Sequence, residues 1–165
     1  MTHTPFLITT LNAAHDRSQF NSGSSALDRY LREQATQDRR RRVAACFVAL
    51  DDNLRIAGYY TLSTASVPLP DLPVEMQRKL PRYPAVPAVR MGRLAVDVDF
   101  QGQGLGSSLL INALRRAAGM EIPAAVLIVD AKDDQAAAFY QHHDFSVLGN
   151  SSLSLFLPLA TIRII

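Results

Sequence analysis

Apolar and polar residues follow two rhythms along this chain. Between 25 and 41, Leu27, Tyr30, Leu31, Gln34 and Ala35 recur at helical spacing behind the capping-box pattern Ser25-x-x-Asp28, which predicts an amphipathic helix ending near Arg41. Residues 43–50 and 55–67 are rich in β-branched and aromatic side chains and flank Asp51-Asp52-Asn53, which predicts two paired strands joined by a hairpin turn. Six of the nine prolines then fall between positions 68 and 87, leaving room for only a short helix near 74–80. Residues 87–96 read as another strand. From Leu105 the helical rhythm returns, with Leu109, Leu110, Ala113, Leu114 and Ala117 on one side, Ser108, Asn112, Arg115 and Arg116 on the other, and Gly119 as its end. The apolar run 124–129 predicts a central strand covered on both faces, Asp133 or Asp134 can cap a helix over 135–143, and 146–165 supplies one or two closing strands. Helices alternating with a central sheet make this an α/β chain without internal repeats or low-complexity tracts.

At 165 residues, 48% hydrophobic and 19% charged, the chain suits one filled core, so residues 1–165 are expected to form a single domain. The lone Cys46 excludes an internal disulfide and sits in an apolar strand, which points to a buried thiol and a reducing, cytoplasmic setting. The stretch 6–11 is too short and too rich in threonine for a signal-peptide core, and no apolar run approaches membrane-spanning length. A soluble protein without a membrane partner is expected.

The most informative segment is Arg93-Leu94-Ala95-Val96-Asp97, then Gln101-Gly102-Gln103-Gly104-Leu105-Gly106, then the helix beginning Ser107-Ser108. A strand runs into a glycine loop and the loop into a helix. Glycines at alternating positions let backbone N–H groups turn inward around an anion, and the helix start adds unpaired N–H groups and its positive dipole end. A pyrophosphate suits such a cradle. A Walker loop would need Lys and Ser/Thr after its last glycine, but Ser107 and Ser108 follow Gly106. A dinucleotide fingerprint starting at Gly102 would need a third glycine at 107, and no acidic residue follows at the required distance. The Q-x-x-G-x-G pattern of Gln101, Gly104 and Gly106 instead resembles the GNAT superfamily of N-acetyltransferases.

That resemblance implies a mixed central sheet with splayed middle strands flanked by helices, and acetyl-CoA as cosubstrate. It places the cosubstrate against Leu94, Ala95, Val96, Gln101, Gly102, Gln103, Gly104, Leu105, Gly106, Ser107 and Phe139, with backbone N–H groups near Leu94, Ala95 and Val96 facing the thioester oxygen. It also makes Tyr140 the general acid for the departing thiolate. A phenol near 10 stays protonated at neutral pH and can donate to a thiolate whose acid lies near 8.5. Packing of the Phe139-Tyr140 pair onto the sheet is the alternative for both rings. No carboxylate stands out as a base: Asp97, Asp99 and Asp130 sit at strand ends, where capping a turn is expected. The site therefore suits an amine with a pKa near 7.7–8.0 better than lysine near 10.4. His3, His15, His142 and His143 lack ligand spacing and read as surface residues, so no metal is expected.

Fifteen of the seventeen basic residues are arginine although the formal net charge is only +2. One cluster, Arg39, Arg40, Arg41 and Arg42, follows the first helix and serves either a nucleic-acid surface or its own helix end. The second, Arg78, Lys79, Arg82, Arg90 and Arg93, precedes or enters the motif strand and is expected to contact the substrate. Four blocks, Gly58-Tyr59-Tyr60-Thr61-Leu62-Ser63, Lys79-Leu80-Pro81-Arg82-Tyr83-Pro84, Gly92-Arg93-Leu94-Ala95-Val96-Asp97 and Val129-Asp130-Ala131-Lys132-Asp133, are similar to the GNAT toxins of toxin–antitoxin pairs. Those toxins acetylate the α-amine of aminoacyl-tRNA and are held by a ribbon-helix-helix antitoxin, through which operator DNA is bound. A homodimer is compatible with the resemblance. Asp144 before Phe145 departs from the family's usual glycine. A small-molecule or protein N-acetyltransferase, or a co-repressor acting with its antitoxin, are the competing functions.

Overall fold

The computed structural model describes residues 6–163, so His3 lies outside the described residues. Strands β1 (Leu7–Thr10), β2 (Ala45–Leu50), β3 (Ile56–Pro68), β4 (Ala85–Val96), β5 (Val126–Asp130), β6 (Ser146–Val147) and β7 (Ser154–Pro158) form a sheet ordered β1-β2-β3-β4-β5-β7-β6. The sheet is mixed and carries flanking helices: α1 (Ser25–Arg29), α2 (Ala35–Arg40), α3 (Val74–Gln77), α4 (Leu105–Ala118) and α5 (Asp134–His142). The chain divides into two compact units, one made of the chain up to Ser63 with Met91–Ala113, the other of Thr64–Arg90 with the chain from Leu114 on. Strands β3 and β4 pass through both.

In the first unit β1, β2 and β3 pair antiparallel, and their inner side chains meet the helical segment in a core of Phe20, Leu31, Cys46, Val48, Ile56 and Tyr59. Strand β1 was not anticipated: it is four residues at the sheet edge with Leu7 exposed, so its order comes from register with β2 rather than from its own pattern. The predicted first helix is there, with two corrections. Its N-cap is Ser24, whose hydroxyl accepts from Leu27 N, while Asp28 turns back to accept from Ser22. A π-helical turn, Tyr30–Gln34, separates α1 from α2. Arg39 and Arg40 close α2, Arg41 caps it and Arg42 is left-handed at φ 64°, so this exposed cluster complements the helix's carbonyl end. Cys46 is buried, and burial pushes its thiol up to about 12, which makes it inert.

The second unit holds a separate core of Val67, Leu72, Val86, Val126, Ile128 and Phe156. The proline-rich segment condenses into a 3₁₀ turn, Leu69–Asp71, and the single-turn α3. Strand β5 pairs antiparallel with β7, and β7 with β6, so the closing segment gives two strands. Among the described residues no helix is long and apolar enough to cross a membrane.

Candidate active site

The glycine loop belongs to the first unit and is braced from beneath. Asp97 is fully buried; its carboxylate accepts from Asn21 N at 3.0 Å and Asp99 N at 2.9 Å and pairs with Arg55 at 3.2 Å. Asp97 therefore caps the 3₁₀ turn Val98–Phe100, as a strand-end aspartate was expected to do. Asp99 and Asp130 do not match that expectation: Asp99 pairs with Arg55 at 2.7 Å, and Asp130 pairs with Arg90 and accepts from Ser154. Ion pairs between residues about forty positions apart are set by strand register, which single-residue reasoning at strand ends does not see. The Gln101 amide nitrogen donates to Val96 O at 3.0 Å and Ser22 O at 3.3 Å, so this side chain straps the loop to the strand end.

Beyond that strap, Gly102 and Gly104 take φ 80° and 79°, and an added Cβ would meet nothing within 4 Å at either. Left-handed backbone with open space beside it is what a backbone N–H cradle requires. Gly106 differs from the expectation of three permissive glycines: it lies in the first turn of the fourteen-residue α4 and is not left-handed. It belongs to the helix start, not to the left-handed turn. Leu105 is buried and anchors that start, Gln103 is exposed, and Ser107 is half-buried. These residues fit the pyrophosphate of acetyl-CoA. On the strand side, a Cβ on Gly58 would come within 2.9 Å of Ala95 O and 2.8 Å of Leu109 Cδ1, so only glycine lets β3 approach the Leu94, Ala95 and Val96 segment this closely.

Tyr140 belongs to the second unit, in the last turn of α5, whose N-cap Asp133 accepts from Ala136 N. Its ring is buried beside Phe139 and Phe145, with centroids at 5.3 and 5.5 Å, and burial pushes its phenol up to about 12. The hydroxyls of Tyr30, Tyr59 and Tyr60 donate to Asp38, Leu27 O and Asn112. Among the described residues Tyr140 is the buried tyrosine whose hydroxyl has no protein partner, which leaves a protonated donor available. The α5 terminus fixes that ring. Phe145 N donates to Tyr140 O at 3.1 Å and Asp144 N to Gln141 O at 3.0 Å, a Schellman closure with its Tyr140–Phe145 contact. Asp144 adopts φ 72° there, so the departure from glycine leaves the cap geometry intact at the cost of a left-handed aspartate. Asp144→Gly is expected to stabilise the protein by about 0.5–1 kcal/mol, raising the melting temperature by about 1–4 °C with activity unchanged. A lower melting temperature in calorimetry would contradict this account of the cap.

The second basic cluster is not uniform. Arg78 pairs with Glu75 at 3.2 Å on an exposed face, Lys79 and Arg82 are exposed, and Arg90 is engaged by Asp130. Arg93 lies in the first unit with its guanidinium carbon 3.5 Å above the Tyr30 ring centroid. Neither this stack nor the Arg55–Asp97 brace was foreseen from the sequence; an aspartate just past the motif strand and an arginine at a hairpin base are the only hints of the brace. His15 accepts from Asn12 N through its ring, His142 is exposed and His143 half-buried. Among the described residues no three His, Cys, Asp or Glu side chains gather as a metal site would require.

Known proteins match this arrangement over nearly the whole chain. A tRNA-acetylating toxin of Mycobacterium tuberculosis (strain ATCC 25618 / H37Rv) is 37% identical over 155 residues, covering 93% of this chain and 92% of the relative. A Tyr-to-Phe mutant of KacT superposes with a TM-score of 0.88 at 31% identity, covering 95% of this chain and 96% of that one. AtaT complexed with acetyl-methionyl-tRNAfMet does so with a TM-score of 0.88 at 29% identity, covering 96% and 97%. Structures of AtaTR bound with AcCoA and of an AtaT mutant bound to the C-terminus of the antitoxin AtaR are also similar, at TM-scores of 0.81 and 0.78 and identities of 28% and 25%, each covering 95% of both chains. The model of the acetyltransferase (GNAT) family matches residues 10–145, a span containing the glycine loop and Tyr140. With that match over most of its length, the chain belongs to the acetyltransferase (GNAT) family.

Proposed function

We propose that this protein transfers acetyl from acetyl-CoA to the α-amine of aminoacyl-tRNA and so blocks translation, as the toxin of a toxin–antitoxin pair. The observation that carries the substrate is the likeness, over 96% of the chain, to AtaT complexed with acetyl-methionyl-tRNAfMet. The exposed Lys79 and Arg82, and the lack of an evident strong base among the described residues, agree with a polyanion bearing a weakly basic amine. Residues 1–165 act as one catalytic domain in the cytoplasm. A ribbon-helix-helix antitoxin holds the toxin inactive and carries the pair to operator DNA, and two toxin copies form a homodimer.

Acetyl-CoA supplies the activated acetyl thioester. The N–H groups of Gly102, Gly104 and the α4 start hold the pyrophosphate, backbone N–H groups of Leu94, Ala95 and Val96 face the carbonyl oxygen as it gains charge, and Phe139 lies against the pantetheine arm. The amine nitrogen bonds to the carbonyl carbon, the carbon–sulfur bond breaks, and Tyr140 Oη donates to the departing sulfur, the proton that the amine sheds to solvent water making good the one delivered to sulfur. Tyr140 is thereby the general acid.

Purified protein is expected to move labelled acetyl from acetyl-CoA onto charged but not uncharged tRNA, and its expression without antitoxin to arrest growth at translation. Transfer to spermidine or lysine peptides, with aminoacyl-tRNA untouched across all acceptor identities, would replace this substrate with a small molecule or protein.

A further inference from the structure

The arginines of this chain differ in where their charge goes. Arg55 pairs with Asp97 and Asp99, Arg78 with Glu75, Arg90 with Asp130, and Arg17 donates to two backbone carbonyls. Arg93 has no hydrogen bond or ion pair among the described residues, yet it is not loose: its guanidinium carbon is 3.5 Å from the Tyr30 ring centroid. A planar cation at that separation is attracted by the ring and held by one face, which leaves its N–H donors in the guanidinium plane.

The ring beneath it is itself held. Tyr30 is buried and stacks on Tyr59 at an interplanar angle of 13°, its hydroxyl donates to Asp38 Oδ2 at 2.8 Å, and Gln34 Nε2 donates to Asp38 Oδ1 at 2.9 Å. Those two bonds, Gln34's first, keep the Asp38 carboxyl below its usual range, with the Arg93 charge adding to the pull. The π-helical turn Tyr30–Gln34 makes the pairing geometrically accessible. In an unbroken α-helix, residues eight apart lie about 80° apart around the axis, whereas one inserted residue brings them to within about 20°. The turn thus places Tyr30 and Asp38 on one face, and Arg93 directly precedes the Leu94, Ala95 and Val96 segment at the site of transfer.

We infer that Tyr30 is a positioning residue that presents the Arg93 guanidinium, as a fixed planar donor, to a phosphate oxygen in the single-stranded 3′ end of the acceptor RNA. This rests on the aminoacyl-tRNA reading of the substrate and assigns its 3′ phosphate contact to a stacked pair on β4 and the π turn.

The test measures binding of a labelled RNA microhelix ending in CCA across a salt series, with kinetics on aminoacyl-tRNA in parallel. Arg93→Gln is expected to flatten the log–log salt slope by about 0.7–0.9, the release from one phosphate contact, with acetyl-CoA affinity unchanged. Tyr30→Leu is expected to flatten it equally although it removes no charge, and the double variant no further. Arg93→Lys, on a half-exposed side chain, keeps the fold testable if Tyr30→Leu does not fold. It keeps the charge but loses the planar fork, so the KM for aminoacyl-tRNA is expected to rise about tenfold with kcat retained. A wild-type slope in Tyr30→Leu, or a wild-type KM in Arg93→Lys, overturns the positioning role. Wild-type transfer to charged tRNA reports separately on the substrate: if that fails while the slopes change as stated, the pair still binds RNA phosphate and only the acceptor is wrong.

Discussion

Tyr140→Phe is expected to lower kcat for acetyl transfer by about 10²- to 10⁴-fold while leaving acetyl-CoA affinity within about twofold. The substitution keeps the buried ring, the Phe145 contact of the Schellman closure and the packing against Phe139. It removes only a hydroxyl that has no protein partner among the described residues, so no orphaned polar group is left behind and the fold is retained. Burial holds the phenol at about 12, which keeps the proton on Oη across the working pH range. The sign follows: the protonated form is the active donor and its pKa is raised, so Tyr140 imposes no alkaline loss of activity until pH approaches 12, whereas an unshifted phenol would begin to lose its proton near 10. A thiol near 8.5 is the stronger acid, so the donation proposed for Tyr140 is a hydrogen bond as charge builds on sulfur, and the thiol's proton is supplied in net by the one the amine releases. Single-turnover kinetics and calorimetry separate chemistry from binding. A variant keeping more than about half of wild-type turnover, with chemistry rate-limiting, would make Tyr140 a packing residue.

The parts of the fold legible in the sequence are those whose cause is local. The β4 strand, the glycine loop and α4 lie within one stretch of chain, and each follows from its own residues: an apolar strand, glycines where φ turns positive, and a helix with Leu109, Leu110, Ala113 and Leu114 on one side. The short α3 between prolines was legible for the same reason. What stayed hidden depends on distant partners. The apolar spacing of Leu27, Tyr30, Leu31 and Ala35 fits an uninterrupted α-helix, and the π turn is favoured through Tyr30 meeting Asp38 and Arg93. Either of the adjacent Ser24 and Ser25 could serve as N-cap, and the Ser22–Asp28 hydrogen bonds accompany the choice of Ser24.

The same distinction applies to charge. Composition showed an arginine-rich chain and the spacing showed a cluster of five basic residues before and in the motif strand, with nothing to tell one contact from another. Strand register then gave Arg90 to Asp130, a single helical turn gave Arg78 to Glu75, and a ring gave Arg93 its orientation. An exposed pair such as Arg78–Glu75 contributes about 0–1 kcal/mol, so little is lost when a competing anion takes the arginine. The cluster therefore divides into cations available on demand and one cation already positioned.

Gly104→Val is expected to weaken acetyl-CoA binding at least about tenfold while the protein remains folded. The defect is conformational and not a clash. Gly104 sits at φ 79° with no atom within 4 Å of a built Cβ, so the free protein has room for a side chain but not for an L-residue, least of all a β-branched one, in that backbone state. Valine drives the loop toward negative φ, which turns a backbone N–H away from the pyrophosphate and puts a methyl group where the anion approaches. Holding the left-handed state against this preference costs roughly 1–2 kcal/mol, and each 1.4 kcal/mol is tenfold in affinity. The fold survives because Gly104 is exposed and the Asp97–Arg55 brace and the Gln101 strap are untouched. Gly102→Val, at φ 80°, is expected to behave alike. Gly106→Ala supplies the contrast, since a helical φ accepts alanine without backbone strain, so the conformational penalty expected at Gly104 is absent there. Calorimetric titration with acetyl-CoA, beside thermal melts of the same variants, decides the matter: wild-type affinity in Gly104→Val would remove the loop from the cosubstrate site.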